Sequence, residues 1–171
     1  MRWRKPPVDA DSVKLIARQF DLDLLTASIL VRRGVASAKT LPYILESDLS
    51  YLHSPFLFPD MVDVVERIQQ AAEESEKVLV FGDRDVDGIT STAVIVTTLR
   101  ELGIDVQWRV PMGDDPYGLQ LAEVERFAGE DGTLIVTVDC GITNVEEIRR
   151  AVDLGIDTIV VDHHNPHDPL P

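Results

Sequence analysis

Three stretches of this sequence gather the residue types that bind metals and move protons: Gly82-Asp83-Arg84-Asp85-Val86-Asp87-Gly88, Asp139-Cys140-Gly141 and Asp162-His163-His164. Taken singly, each has an ordinary reading: a tight turn, a capped turn, a pair of surface histidines. Brought together, they make a different chemistry. Carboxylates packed side by side repel strongly at low dielectric, and divalent cations remove that penalty. Carboxylate oxygen with imidazole nitrogen suits manganese, magnesium or zinc, and mixed ligation in an open site favours manganese. Cys140 reads as a small packing residue rather than a nucleophile, because its own motif supplies no base. His53 and His167 read as loop residues.

A parallel sheet is what would bring the three stretches together. From residue 76 onward, strand and helix patterns alternate. The run 78–81 is short and wholly apolar, as in a strand buried on both faces, and further strands read at 106–110, 134–138 and 158–161. Between them lie helical patterns at 89–102, ended by Gly103, and 119–128, ended by Gly129. The last helix carries Val145, Ile148, Ala151 and Val152 before Gly155, with capping-box spacing at Thr143-Asn144-Val145-Glu146. This order predicts an α/β fold, an open parallel sheet with flanking helices and right-handed crossovers. Ligands of such sheets bind beyond the carboxyl ends of the strands. The first strand runs out into Asp83, the third into Asp139 and the fourth into Asp162.

The first part of the chain reads as a small helical amino-terminal segment. Val13, Ile16, Ala17 and Phe20 recur at helical spacing, with Asp11 or Ser12 as the cap. Asp23 caps a second helix through Leu24, Leu25, Ile29 and Leu30, stopped near Gly34. A short turn covers 37–45, and 47–59 is loop-like. Asp60 opens a helix to Ala72 whose apolar face is Met61, Val65, Ile68 and Ala72. The polar run 73–77 marks the expected boundary, giving a lead-in at 1–76 and the sheet domain at 77–171.

Of 171 residues 44% are hydrophobic, enough for a sizeable core. The single cysteine excludes an internal disulfide framework and a cysteine zinc cluster. No apolar run nears the roughly 18 residues of a membrane span. The charged opening Met1-Arg2-Trp3-Arg4-Lys5 has no apolar stretch behind it, so no signal peptide is expected and the expected compartment is the cytoplasm. The net charge of −14 is uneven: residues 1–75 hold 9 Lys and Arg against 11 Asp and Glu, whereas residues 76–171 hold 7 against 19. So acidic a half repels polyanions unless cations intervene, and it suits a site where carboxylates hold divalent metal.

The run from Gly82-Asp83-Arg84-Asp85-Val86-Asp87-Gly88 through Ile89-Thr90-Ser91, then Val138-Asp139-Cys140-Gly141-Ile142, then Asp162-His163-His164, resembles the DHH phosphoesterases. Within that family the chain is most similar to the amino-terminal part of the RecJ group of single-strand-specific 5′-to-3′ exonucleases. Leu30-Val31-Arg32-Arg33-Gly34 and the stretch from Leu52-His53-Ser54-Pro55 to Pro59-Asp60-Met61 extend the likeness upstream, so that it covers about residues 24–171. The resemblance implies that Asp85, Asp87, Asp139 and His163 are ligands of a two-metal centre, with Asp139 between the ions. Asp83 would be a further ligand or stand behind them, His164 would face the scissile phosphate, and Asp162 would orient the histidines. It also implies Mn2+ or Mg2+ as cofactor, single-stranded DNA as the partner of the full-length protein, and hydrolysis by water activated in a two-metal site, in DNA repair and recombination. Two departures bear on substrate handling. Arg84 stands where the family usually has tyrosine, and the loop Pro111-Met112-Gly113-Asp114-Asp115-Pro116-Tyr117-Gly118-Leu119 keeps Tyr-Gly-Leu but lacks the arginine usual after the proline. The family's last ligand aspartate and its carboxy-terminal domains lie beyond the third motif. The chain is therefore expected to be an amino-terminal piece, inactive alone.

Three other readings compete. Asp85-Val86-Asp87-Gly88-Ile89-Thr90 also resembles the nucleophile loop of haloacid-dehalogenase phosphatases, but there the nucleophile directly follows a strand, and Asp162-His163-His164 would have no role. A non-catalytic RecJ-like replication scaffold would be expected to lose motif acids that are present here. A DHH nanoRNase or cyclic-dinucleotide phosphodiesterase would lack the upstream lead-in.

Overall fold

The computed structural model describes residues 7–171, so the charged opening at 1–6 lies outside the described residues. The chain divides after Leu57 into two compact units, the second running Phe58–Pro171. In the first, α1 (Ala10–Gln19), α2 (Leu24–Arg32) and α3 (Pro42–Leu45) are followed by 3₁₀ turns at Leu49–Tyr51 and Pro55–Leu57, within the stretch expected to be loop. Val13, Ile16 and Ala17 of α1 pack with Ala27 and Leu30 of α2 around Leu41. The cap of α1 is Asp9, not Asp11 or Ser12, because the Asp9 carboxylate accepts the backbone N–H of both those residues. Asp23 caps α2 as its position predicts, accepting from the N–H groups of Leu25 and Thr26.

The second unit comprises α4 (Met61–Glu73), β1 (Lys77–Gly82), α5 (Val86–Glu101), β2 (Asp105–Arg109), α6 (Leu121–Ala128), β3 (Leu134–Val138), α7 (Val145–Asp153) and β4 (Asp157–Val161). The four strands are parallel and ordered β2-β1-β3-β4. In β1, Val78 and Val80 face a core shared with α4 and α5, while Leu79 and Phe81 face one shared with α6 and α7. That two-sided burial is why the strand reads as an unbroken apolar run rather than an alternating one. β2 and β4 are the edges. Among the described residues, no helix is long and apolar enough to cross a membrane.

α4 belongs with this sheet, although the sequence division at 76/77 puts it in the lead-in. Its buried Ala71, with Val64, Ile68 and Ala72, packs on the core. The packed face thus includes Val64 and Ala71 where Met61 and Val65 are expected. α5 begins at Val86 rather than at 89, because Asp85 caps it and draws Val86, Asp87 and Gly88 into its first turn. α6 begins two residues later than expected, and β2 is displaced by one.

Candidate metal centre

Strand register sets the level of the acids. Gly82 of β1 pairs with Val138 of β3, and Val138 pairs with Val161 of β4. The next residue of each strand is Asp83, Asp139 or Asp162, so three carboxylates leave the sheet abreast. Asp83 and Asp139 are buried. After Asp83 the chain turns into α5, where Asp85 Oδ1 accepts the Gly88 N–H at 3.1 Å. Gly88 lies against the Asp83 backbone, and a Cβ there would sit 2.5 Å from its carbonyl oxygen. No larger residue lets the helix start so close to the strand end. The turn after β3 is equally tight. Asp139 itself adopts a left-handed backbone, φ 59°, and Gly141 follows with φ 111°.

The side chains converge on Asp139. Its Oδ1 is 2.9 Å from His163 Nε2, whereas its buried Oδ2 has no hydrogen-bond partner among the described residues. Asp87 Oδ2 is 3.9 Å from the same His163 nitrogen. Two triplets have ligand atoms mutually within 4.8 Å: Asp139 with His163 and His164, and Asp83 with Asp85 and Asp139. Asp139 is common to both, and Asp87 joins neither. Asp162 engages His164 rather than His163: its Oδ1 lies 2.7 Å from His164 Nδ1 and accepts the His164 N–H, while Oδ2 accepts the Ile142 N–H at 3.0 Å.

The electrostatics follow from these contacts. Burial first, then the negative charges of Asp87 and Asp85, push the Asp139 carboxyl above the usual aspartate range, against the opposing hydrogen bond from His163. Asp85 is held low, chiefly by the Gly88 N–H. Burial works to raise Asp162, but the N–H groups of His164 and Ile142 and the His164 ring hold it below its ordinary value. The bond to Asp162 in turn raises His164. Burial pushes the Cys140 thiol up to about 12, in keeping with a packing role. A half-orphaned buried carboxylate, ringed by further carboxylate oxygens and an imidazole nitrogen, fits a hard or borderline divalent cation.

Residues behind the cluster hold its shape. Tyr117, on the loop between β2 and α6, donates from its hydroxyl to the Asp139 carbonyl at 3.3 Å and lies 3.4 Å from His164 Nδ1. Burial, then the surrounding carboxylates, push that hydroxyl up to about 12. Asn144 fastens the loop. Its Oδ1 accepts the Leu119 N–H and its Nδ2 donates to the Leu119 carbonyl and to Glu147. The expected capping box at Thr143–Glu146 does not form: Asn144 precedes α7 and makes no side-chain cap bond to it. The fastening by Asn144 escapes sequence reading, because its partner is 25 positions away. Arg84 is exposed, and its Nη1 donates to the Gly113 carbonyl at 2.9 Å.

Comparison with known proteins gives the arrangement its relatives. The model of the DHH family, N-terminal domain, matches residues 77–171. The single-stranded-DNA-specific exonuclease RecJ of Bacillus subtilis (strain 168) is 36% identical over 172 residues, covering 100% of this chain and 22% of the relative. Among solved structures, RecJ in complex with Mn2+ from Thermus thermophilus aligns over 97% of this chain and 22% of that one, with TM-score 0.67 and 28% identity. Exonuclease RecJ bound to manganese aligns over 64% of this chain and 28% of that one, with TM-score 0.60 and 36% identity. The chain thus spans about a quarter of the length of the relatives it matches.

Proposed function

The chain belongs to the DHH family, and from that membership we propose that it carries the metal-holding part of a phosphodiesterase that removes nucleotides from single-stranded DNA in the 5′-to-3′ direction. One observation carries the reading: Asp139, level with Asp83 at the neighbouring strand exit, is shared by two clusters of oxygen and nitrogen donors. In this reading Asp83, Asp85, Asp87, Asp139 and His163 would hold a pair of manganese or magnesium ions. A divalent cation, when bound, supplies positive charge against the phosphate oxygens and acidifies water. The protein's own part is positional. Asp162 holds His164 by Nδ1, which leaves Nε2 free to face the scissile phosphate. Tyr117 and Asn144 keep the turn carrying Asp139 in place.

The relatives named for single-stranded DNA support this choice of substrate, and we propose with it a cytoplasmic role in DNA repair and recombination. The activity is proposed for a protein of the relatives' length, and the 171 residues alone are proposed not to degrade DNA. A haloacid-dehalogenase mechanism does not suit Asp85, which here caps a helix instead of following a strand. The test is hydrolysis of a 5′-labelled single strand by the full-length protein with manganese, beside a duplex and a cyclic dinucleotide. Release of the labelled mononucleotide from the single strand is expected, and its loss in Asp139→Asn. Preference for the cyclic dinucleotide would replace this reading with the small-phosphodiesterase one, and inactivity on all three would favour a scaffold.

A further inference from the structure

Beside the acid cluster, a groove of about 610 Å³ runs along α5, where the edge strand β2 leaves the helix uncovered. Its lining includes Arg84, just before α5, Ile89, Val96 and Arg100 of that helix, the last in its final turn, and Trp108 and Met112 from β2 and the loop after it. Trp108 is 55% exposed and Met112 71%. The charge sets the groove apart. Residues 76–171 hold 19 acids against 7 bases, yet no acid lines the groove. Among the described residues the guanidinium groups of Arg84 and Arg100 donate to backbone carbonyls, of Gly113 and Val106, and neither forms a salt bridge.

An acid-free apolar trough with an unneutralised guanidinium at each end selects an anion with flat apolar parts. A single strand has that character, since each nucleotide offers a phosphate to arginine and a π-face to an aromatic ring. Arg84, which lines the groove, stands between Asp83 and Asp85 in the chain, so that end of the groove adjoins the acid cluster. The 16 residues of α5 span about 24 Å, room for more than one nucleotide. Resting on the functional reading above, we propose that this groove holds the stretch of single strand next to the scissile phosphate, with Arg84 and Arg100 on phosphates and Trp108 beneath a base.

The test uses the full-length protein, its Trp108→Leu, Trp108→Phe and Arg100→Ala variants, and two substrates, a long single strand and a dinucleotide. Wild type is expected to show a lower KM on the long strand. Trp108→Leu raises that KM about tenfold with kcat retained, and Trp108→Phe restores most of the loss. Arg100→Ala lowers the salt dependence of the KM by about one charge. An oligonucleotide carrying 5-iodouracil is expected to photocrosslink to Trp108 or Met112. Unchanged KM in the folded variants, or crosslinks that map elsewhere, overturns the groove. If wild type cleaves neither substrate, the functional reading fails by itself, and the crosslink map alone then upholds or overturns the groove.

Discussion

Asp139 combines three features that each cost folding energy: a buried carboxyl, one oxygen with no partner among the described residues, and a left-handed backbone. A non-glycine residue held there costs on the order of 1 kcal/mol or more, and such strain gathers where function requires it. Asp139→Asn keeps the shape and removes the repulsion from Asp85 and Asp87. The metal-free variant is therefore expected to melt no lower than wild type. It should lose the stabilisation expected from manganese in wild type, about 2.7 kcal/mol at a concentration 100 times Kd, which is read as a rise in Tm. Thermal melts with and without manganese check this, and an equal rise in the variant would remove Asp139 from the ligands. The pH dependence has a definite sign. The folded carboxyl is raised above its unfolded value, so metal-free wild type gains stability as pH falls through that raised value, and its deficit against the variant closes on acidification. The position of Asp83, Asp139 and Asp162 at the strand exits was legible in the sequence because each acid follows an apolar run. Asn144 was not, since its role exists only once the loop after β2 and the start of α7 are neighbours.

At the scale of elements, α4 is joined to the amino ends of the strands by one side chain. Arg67 pairs with Glu76 at 2.7 Å and with Asp157 at 2.6 Å, and Thr133 adds its hydroxyl to Glu76. Arg67 and Glu76 are largely buried, so Arg67→Ala strands a carboxylate and is expected to cost about 2 kcal/mol. Burial works to raise Glu76, but Arg67 and Thr133 hold it below its ordinary 4.5. The bridge's contribution is thus present above that value and lost as pH falls through the lower folded one. Denaturant melts of wild type and variant should converge in acid, and a gap that persists there would assign the loss to packing. The existence of helices and strands was legible, the helices from their period of about 3.6 and the buried strands from short apolar runs. Their ends were not. Asp85 reads as part of a turn on spacing alone, and only its bond to the Gly88 N–H decides where α5 starts. The packed face of α4 differs from the expected one because Met61 and Val65 are apolar without being packed on the sheet.

The molecule as a whole has two separate units to stabilise. Val13, Ile16, Ala17, Ala27, Leu30 and Leu41 form the core of one, small enough to be marginal alone. The sheet has a core on each face. Residues 58–171 expressed alone are therefore expected to unfold cooperatively and to bind manganese with the affinity of the 171-residue chain. Thermal melting and calorimetric titration of both would show it, and a non-cooperative melt of the shorter chain would make the helical unit part of its fold. The charge asymmetry read from the sequence acquires a location here. The acids belong to the unit that holds the candidate metal site, and an acid-free trough adjoins it.

Cys140 sits between Asp139 and Gly141 with no exposed surface and its sulfur toward the Phe81 carbonyl. A thiol pushed up to about 12 carries almost no thiolate at neutral pH, and thiolate is what alkylating reagents attack. Alkylation must therefore wait until the turn after β3 opens, which makes the reaction rate a clock for the breathing of the site. An ion gripped by Asp139 together with residues from the other strand exits would act as a rivet across three strands, and manganese should slow the clock.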